Sequence, residues 1–439
     1  MRTVLAVILF VISSATVALC QNVTEQNHLS LSAIPVSDSL LEVQRKADRD
    51  SFRRIVGEKP SLSKAEPSAQ GADETEGRFW VSAESLFWKM KDANLPPLIT
   101  TGPFPPPGSA LRGGVVGTPG TVIVFGGGKL DKGLFTGGRF TAGMWLNEQR
   151  NVGVELSYFF LPRRTYTAQA SATGLPTGAP GGGFPVGIYL SRPVINLAGQ
   201  EDAVVVSDPL PFIISHFILS GTSTGALSSR LQGGEANFIY RFDSAGCCRI
   251  SLTGGFRYLD LDEQLTVTDF TQFDAGSGIV SHTVRTDAFF TRNQFYGAQV
   301  GARSLSNWGR LNLELSGALA LGSNRQSVNI NGFTTFSSVL RGVLAQPTNI
   351  GIYRRNEFTV VPEVRVSLGF DVTRYLRPFV SYDFLYWNKV VMTGDQIDRV
   401  INPDTVFNSS APSQGHPAFT FRDSAYRAMG LTTGVKLRF

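Results

Sequence analysis

Counting back from the carboxyl terminus, Phe439, Leu437, Val435, Thr433, Leu431 and Met429 alternate with Arg438, Lys436, Gly434, Thr432 and Gly430. Successive side chains of a strand point to opposite faces, so this segment is a strand with one apolar and one polar side. The same texture recurs along the chain. Val152, Val154, Leu156, Tyr158 and Phe160 alternate with Gly153, Glu155 and Ser157. Ile250 to Tyr258, Leu311 to Leu321, Val364 to Phe370 and Val380 to Tyr386 repeat it. Each run covers ~9–11 residues or a little more, the length of a tilted strand that crosses a bilayer core.

The connections sort by length. Asn147–Asn151, Asp243–Cys248, Ser304–Arg310 and Asp371–Tyr375 are short turns. Between these hairpins lie long stretches at 91–133, 169–217, 269–284, 332–355 and 389–423. Short and long connections alternate, as periplasmic turns and extracellular loops do in outer-membrane barrels, whereas a β-sandwich shows no such sorting. The expected fold class is therefore all-β: a transmembrane antiparallel up-and-down β-barrel of ten strands. Thr121–Phe125 and Ala203–Ser207 raise the count to twelve if they join the ring and leave it at ten if they belong to the loops.

Composition agrees. Charged residues make up 17% of the 439, below the ~25% of a soluble domain. Mean hydropathy is +0.01, as expected where apolar and polar residues alternate. Only one apolar run approaches the ~20 residues of a membrane helix, and it is at the start. The net charge of +5 comes with no dense Lys/Arg block, which argues against nucleic-acid binding. Cys20, Cys247 and Cys248 are too few and too close for a disulfide framework or a zinc site of usual spacing. The vicinal pair could oxidise to a strained ring; the simpler reading is two turn residues without a role.

Arg2, the apolar Val4 to Ile12 and the small residues of Ala18-Leu19-Cys20 read as a signal peptide over 1–20, cleaved before Gln21. Residues 21–77 are polar and read as a disordered periplasmic tether. The barrel domain then covers 78–439, and the chain is expected in the bacterial outer membrane.

With the apolar faces toward lipid, the inward residues are Glu84, Arg139, Glu155, Glu235, Asn237, Arg257, Glu314, Glu363, Arg365, Asp383 and Lys436. Buried charges need partners, and hairpin geometry pairs Glu235 with Arg257 and Arg365 with Asp383. Trp80, Trp88, Tyr240, Phe242, Tyr375, Tyr386, Trp387 and Phe439 lie near strand ends and read as interface girdles. Trp145 falls on the polar parity of its strand. Catalytic signatures are missing. Gly126-Gly127-Gly128-Lys129 lacks the spacing of a phosphate loop and reads as a hinge. His216, His282 and His416 fall at the outer rim near Asp208, Asp274, Asp287, Asp395 and Asp398. An Asp/His pair there could serve a hydrolase, but no spacing links them and solvated loop residues are the simpler reading.

From Arg78 to Phe439 the sequence resembles the seventh of the β-barrel porin families of bacteria with outer membranes. The carriers are Phe79-Trp80-Val81-Ser82-Ala83-Glu84 with Trp88, Gly138-Arg139-Phe140 before Trp145, and Gly234-Glu235-Ala236-Asn237. Gly255-Phe256-Arg257-Tyr258-Leu259-Asp260-Leu261-Asp262-Glu263 is the most distinctive. Asn293 to Gly301 and Gln396-Ile397-Asp398-Arg399 complete the set. The resemblance implies an outer-membrane barrel, and Phe439 matches the terminal aromatic read by the barrel assembly machinery. It says little about transport, because fold does not fix function. The expected role is passage of small solutes or a closed membrane scaffold; the alternatives are surface interaction through the loops and a rim hydrolase. The expected partners are outer-membrane lipids and the assembly machinery. No cofactor is expected, and the oligomeric state stays open.

Overall fold

The computed structural model describes residues 77–103, 113–172, 188–207, 218–242, 248–274, 280–335, 341–408 and 410–439. The expected signal peptide, and the tether up to residue 76, lie outside these. Ten antiparallel strands close into a ring. In chain order they are β1 (Phe79–Met90), β6 (Leu134–Trp145), β7 (Val152–Ala172), β10 (Ile218–Phe242), β11 (Cys248–Asp274), β12 (Val280–Trp308), β13 (Leu311–Thr334), β14 (Gly351–Phe370), β15 (Leu376–Val390) and β16 (Ser424–Arg438). β1 pairs with both β6 and β16, which joins the two ends of the sheet.

The register fixes the shape. Stepping between paired residues from Gly369 passes through Phe379, Gly434, Glu84, Arg139, Phe159, Gly233, Leu259, Phe295 and Asn324. It closes on Glu357 of the starting strand, a stagger of twelve residues (369 to 357). Ten strands with that stagger tilt by about 40° and enclose a lumen narrow enough for side chains to fill.

Phe256, Phe358, Leu431 and Phe439 are among the exposed large residues of the outer face. A continuous apolar outer surface of this kind needs lipid around it. The outward residues turn polar near a common level: Leu321 is followed by Ser323 and Arg325, Tyr258 by Asp260, and Phe358 by Asn356 and Arg354. Above that level β10, β11 and β12 continue, reaching 25, 27 and 29 residues. Of the stretches expected to be loops, 269–284 is therefore largely strand, whereas 332–355 gives only its two ends to β13 and β14. A free-standing wall of this length needs cover on its inner side, and the chain supplies it.

The cover is a four-stranded sheet in the order β4-β3-β8-β9, made of β3 (Ile99–Pro103), β4 (Val122–Phe125), β8 (Ile188–Ile195) and β9 (Glu201–Ser207). Thr121–Phe125 and Ala203–Ser207 thus contribute to this cap, and the barrel stays at ten. A small pair, β2 (Ala93–Leu95) and β5 (Gly128–Leu130), lies beside it in sequence. Gly126 and Gly127, both with positive φ, form the bend between β4 and β5. Leu98, Phe125, Val194 and Val204 of the cap pack on Leu227, Leu265, Phe289 and Ile330 of the wall.

One buried ion cluster pins the cap to the wall. Arg192 of β8, 1% exposed, donates to Asp269 of β11 at 3.0 Å and to Asp287 of β12 at 2.7 Å. Its Nε also donates to the Leu98 carbonyl. Asp287 accepts two further bonds from the Leu344 and Ala345 amides. Asp287 is therefore buried, contrary to its expected place among solvated rim aspartates. Cys248, at the start of β11, is disulfide-bonded. Replacing Arg192 by Ala leaves two buried carboxylates without their cation, a loss of roughly 3–5 kcal/mol. Limited proteolysis of Arg192→Ala should cut the β8–β9 segment at protease levels that leave the wild type intact; equal resistance would refute this anchoring.

Candidate functional site

Three layers fill the lumen, each built from the inward parity of the strands. The lowest is the periplasm-facing mouth, where Trp80 and Trp145 meet with ring centroids 5.1 Å apart. The Arg241 guanidinium lies 4.7 Å from the Trp145 ring. Trp145 is thus an interior residue on the same face as Arg139, which explains its parity. Trp80, Trp88 and Trp387, expected in a lipid girdle, also point inward and are 5%, 0% and 0% exposed. Tyr240, Phe242, Tyr375 and Phe439 stay on the outer surface.

Around the mouth, Arg249, Arg310, Arg374, Arg377 and Arg438 line a cavity of about 310 Å3 together with Asp371. Asp371, in the β14–β15 turn, accepts from Arg377 at 2.8 and 2.9 Å, from Asn312 at 2.8 Å and from Arg438. Partial burial pushes the Asp371 carboxyl up, but the bonds from Arg377 and Asn312 and the charges of Arg377 and Arg438 outweigh it. They hold it below its ordinary value.

The middle layer holds the charged residues. Glu84, Arg139, Arg365 and Asp383 form a neutral quartet. Arg139 lies 3.3 Å from Glu84 and 3.0 Å from Asp383. Arg365 lies 2.7 Å from Asp383 and 3.6 Å from Glu84. Thr432 and Ser381 donate to the second Asp383 oxygen, so this fully buried carboxylate is satisfied on both sides. A second group joins Glu155 to Arg303 at 2.8 Å, Arg303 to Glu314 at 3.3 Å, and the Trp80 indole to Glu155 at 3.0 Å.

Arg257 lies opposite Glu235 in the register, yet its ion partner is Glu363 of β14. Glu235 instead accepts from Gln299 at 2.8 Å, and Gln299 also donates to Asn237. The expected Glu235–Arg257 contact is corrected accordingly. A hairpin brings two Cα atoms together, but an interior side chain reaches across the ring. Arg139–Asp383, Arg257–Glu363 and Glu155–Arg303 each join strands three places apart. Lys436 lines the same cavity, of about 120 Å3, with Glu155, Arg303 and Glu314. Arg303 escaped the sequence reading because it stood at the edge of an assumed turn; its parity with Gly297, Gln299 and Gly301 marks it as inward.

The top layer is apolar. Leu86, Trp88, Phe135, Phe159, Leu231, Leu259, Phe295, Ala320, Val361, Trp387 and Ala428 form one buried cluster to which every strand of the ring contributes. Arg139 sits beneath Trp88 and Phe159, 5.2 and 5.6 Å from their rings. Phe295 meets Trp387 edge-on across the ring at 6.2 Å. Above it, Lys132 reaches down to Glu263 at 2.8 Å, and Asn293 donates to the Val391 carbonyl. The lumen is therefore a chamber that opens toward the periplasmic turns and ends blindly at the apolar layer.

The two rim histidines among the described residues, His282 and His416, have separate partners. His282 stacks on Phe270 of the β11–β12 hairpin. His416 Nδ1 lies 3.1 Å from Asp398 in the 391–423 segment. His216 is outside the described residues, which hold no cluster of potential metal ligands.

The family model described as Putative beta barrel porin-7 matches residues 80–439. No curated protein matches the chain. Among solved structures, the chain is similar to the outer membrane protease OmpT from Escherichia coli at 9% identity. That match covers 82% of this chain and 96% of that one, with a TM-score of 0.40. It is also similar to the Pseudomonas putida toluene transporter TodX at 9% identity, over 83% and 90% of the chains, with a TM-score of 0.18. Likenesses this distant say nothing of what the chain does.

Two outcomes follow from the charge layer. Glu363→Ala strands the buried Arg257 and should lower unfolding stability by roughly 3 kcal/mol, whereas Glu235→Ala, which removes a hydrogen-bond acceptor from Gln299, should cost about 1 kcal/mol. Denaturant titration of both variants decides, and equal losses would restore the Glu235 pairing. Because folding depresses the Asp371 pKa, its contribution to stability is complete above pH about 4 and disappears as pH falls further. Melting curves from pH 7 to 3 should show that decline flattened in Asp371→Asn.

Proposed function

The chain belongs to the Putative beta barrel porin-7 family, and we propose that this member is a closed outer-membrane scaffold that displays a folded extracellular cap, and that it does not serve as an open pore. The observation that carries the reading is the apolar layer. Leu86, Trp88, Phe295 and Trp387 project into the lumen and are all 0% exposed. A continuous water path at that level would wet them, and a solute would have to displace fully buried indoles. The balanced charges below are consistent with this role. In the middle layer they are engaged with one another across the ring in groups of mixed sign. The cap supports the second half of the reading, since a loop region with its own sheet and buried salt bridge is built to hold one shape.

Single-channel recording in planar bilayers is the test, with the heat-shifted gel band as control for folding. Wild-type protein should give no steady conductance steps. Replacing Trp88 and Trp387 together by Ala removes two bulky side chains from the layer and should produce small, frequent openings. Steady steps from the folded wild type would sink the proposal.

A further inference from the structure

One side of the outer surface, immediately above the lipid-facing belt, is strongly cationic. Following the outward parity upward, Tyr158 on β7, Tyr258 on β11 and Tyr296 on β12 mark the end of the belt. Aromatic side chains of this type settle at the membrane–water interface. Within the next few residues toward the extracellular end come Arg163 on β7, Arg230 on β10, Arg292 on β12, Arg325 on β13 and Arg354 on β14. Against these five arginines stand two aspartates on β11, Asp260 and Asp262, the second of them paired with Arg163. Around the other side of the ring the corresponding residues are Asn388, Arg427 and Lys89, and Lys89 is already paired with Asp131. The excess is therefore local and is not a uniform collar.

The arrangement is also organised. Asp260 is 0% exposed although it lies on the outward face. Arg292 grips it with two bonds of 2.8 and 3.0 Å, Gln232 donates at 3.1 Å, and Arg230 lies 3.6 Å away. One carboxylate thus holds two guanidiniums side by side, while 46% of the Arg292 side chain and 34% of the Arg230 side chain remain exposed. Arg325 and Arg354 are exposed beside them on the next two strands. Guanidinium groups suit phosphate because their planar donors match two of its oxygens at once.

We propose that this arc binds the phosphorylated headgroup of an outer-leaflet glycolipid and holds it against β10 to β14. Height selects the ligand: the arginines stand two to five residues along their strands above the level of the interface tyrosines, on the headgroup side of the belt, and the acyl chains would lie along the apolar face below. The arc is separate from the lumen, so the proposal does not depend on whether the barrel conducts.

Native mass spectrometry of the full chain in detergent tests it, using bisphosphorylated lipid A and the same lipid with its phosphates removed. The phosphorylated lipid should bind at least tenfold more tightly. The double variant Arg325→Gln/Arg354→Gln should lose most of that preference while keeping its heat-shifted band. Arg292→Gln should do the same; if it fails to fold, the double variant decides alone. Arg310→Gln/Arg374→Gln removes equal charge from the opposite rim and should leave binding unchanged. Equal affinity for the two lipids, or an equal loss from the rim variant, would overturn the proposal.

Discussion

A backbone crossing lipid must hydrogen-bond every one of its own polar groups, and a sheet does this only by closing on itself. The pairing of β1 with both β6 and β16 is that closure, and much else follows from it. Ten strands staggered by twelve residues set the tilt and the width of the lumen together. That width is small enough for side chains from strands three places apart to meet, which is why the interior is a packed structure. Shortening one strand would expose two edges to lipid, so the ring tolerates variation chiefly in what its strands carry and in how far they extend beyond the membrane.

Burial inside the ring then divides by height. In the middle layer charges meet in nearly balanced groups, because an isolated ion there would cost several kcal/mol. Higher up, the same inward parity carries Leu, Trp and Phe, which exclude water from the centre. The two layers depend on each other. Arg139 is held by Glu84 and Asp383 and forms the cationic floor against which Trp88 and Phe159 rest. The extended wall of β10 to β14 repeats the pattern above the membrane, with an apolar inner face covered by the cap and one buried arginine, Arg192, locking the two together.

The outer surface records its environment as clearly as the inner one. Its apolar residues give way to tyrosine and then to arginine within a few residues on neighbouring strands. That ordering follows the change from acyl chain to headgroup to water. The concentration of arginine on one side gives the barrel a front and a back, which a ring of strands does not itself require.

Much of this was written in the residue order. The alternation ending in Phe439, the sorting of short and long connections and the even strand count depend on local periodicity and hairpin length, and the sequence displays both directly. The inward placement of residues such as Glu84 and Asp383 follows from the same parity. Three things were decided only by the tertiary structure. The partner of Arg257 depends on the stagger of the closed ring, which no single hairpin encodes. The girdle reading of Trp80, Trp88 and Trp387 rested on nearness to strand ends, whereas their parity, fixed by register, turned them inward to seal the lumen. Finally, the stretches at 91–133 and 169–217 contribute the strands of one cap sheet. Pairing between segments so far apart in the chain leaves no local signal, because only the wall they cover brings them together.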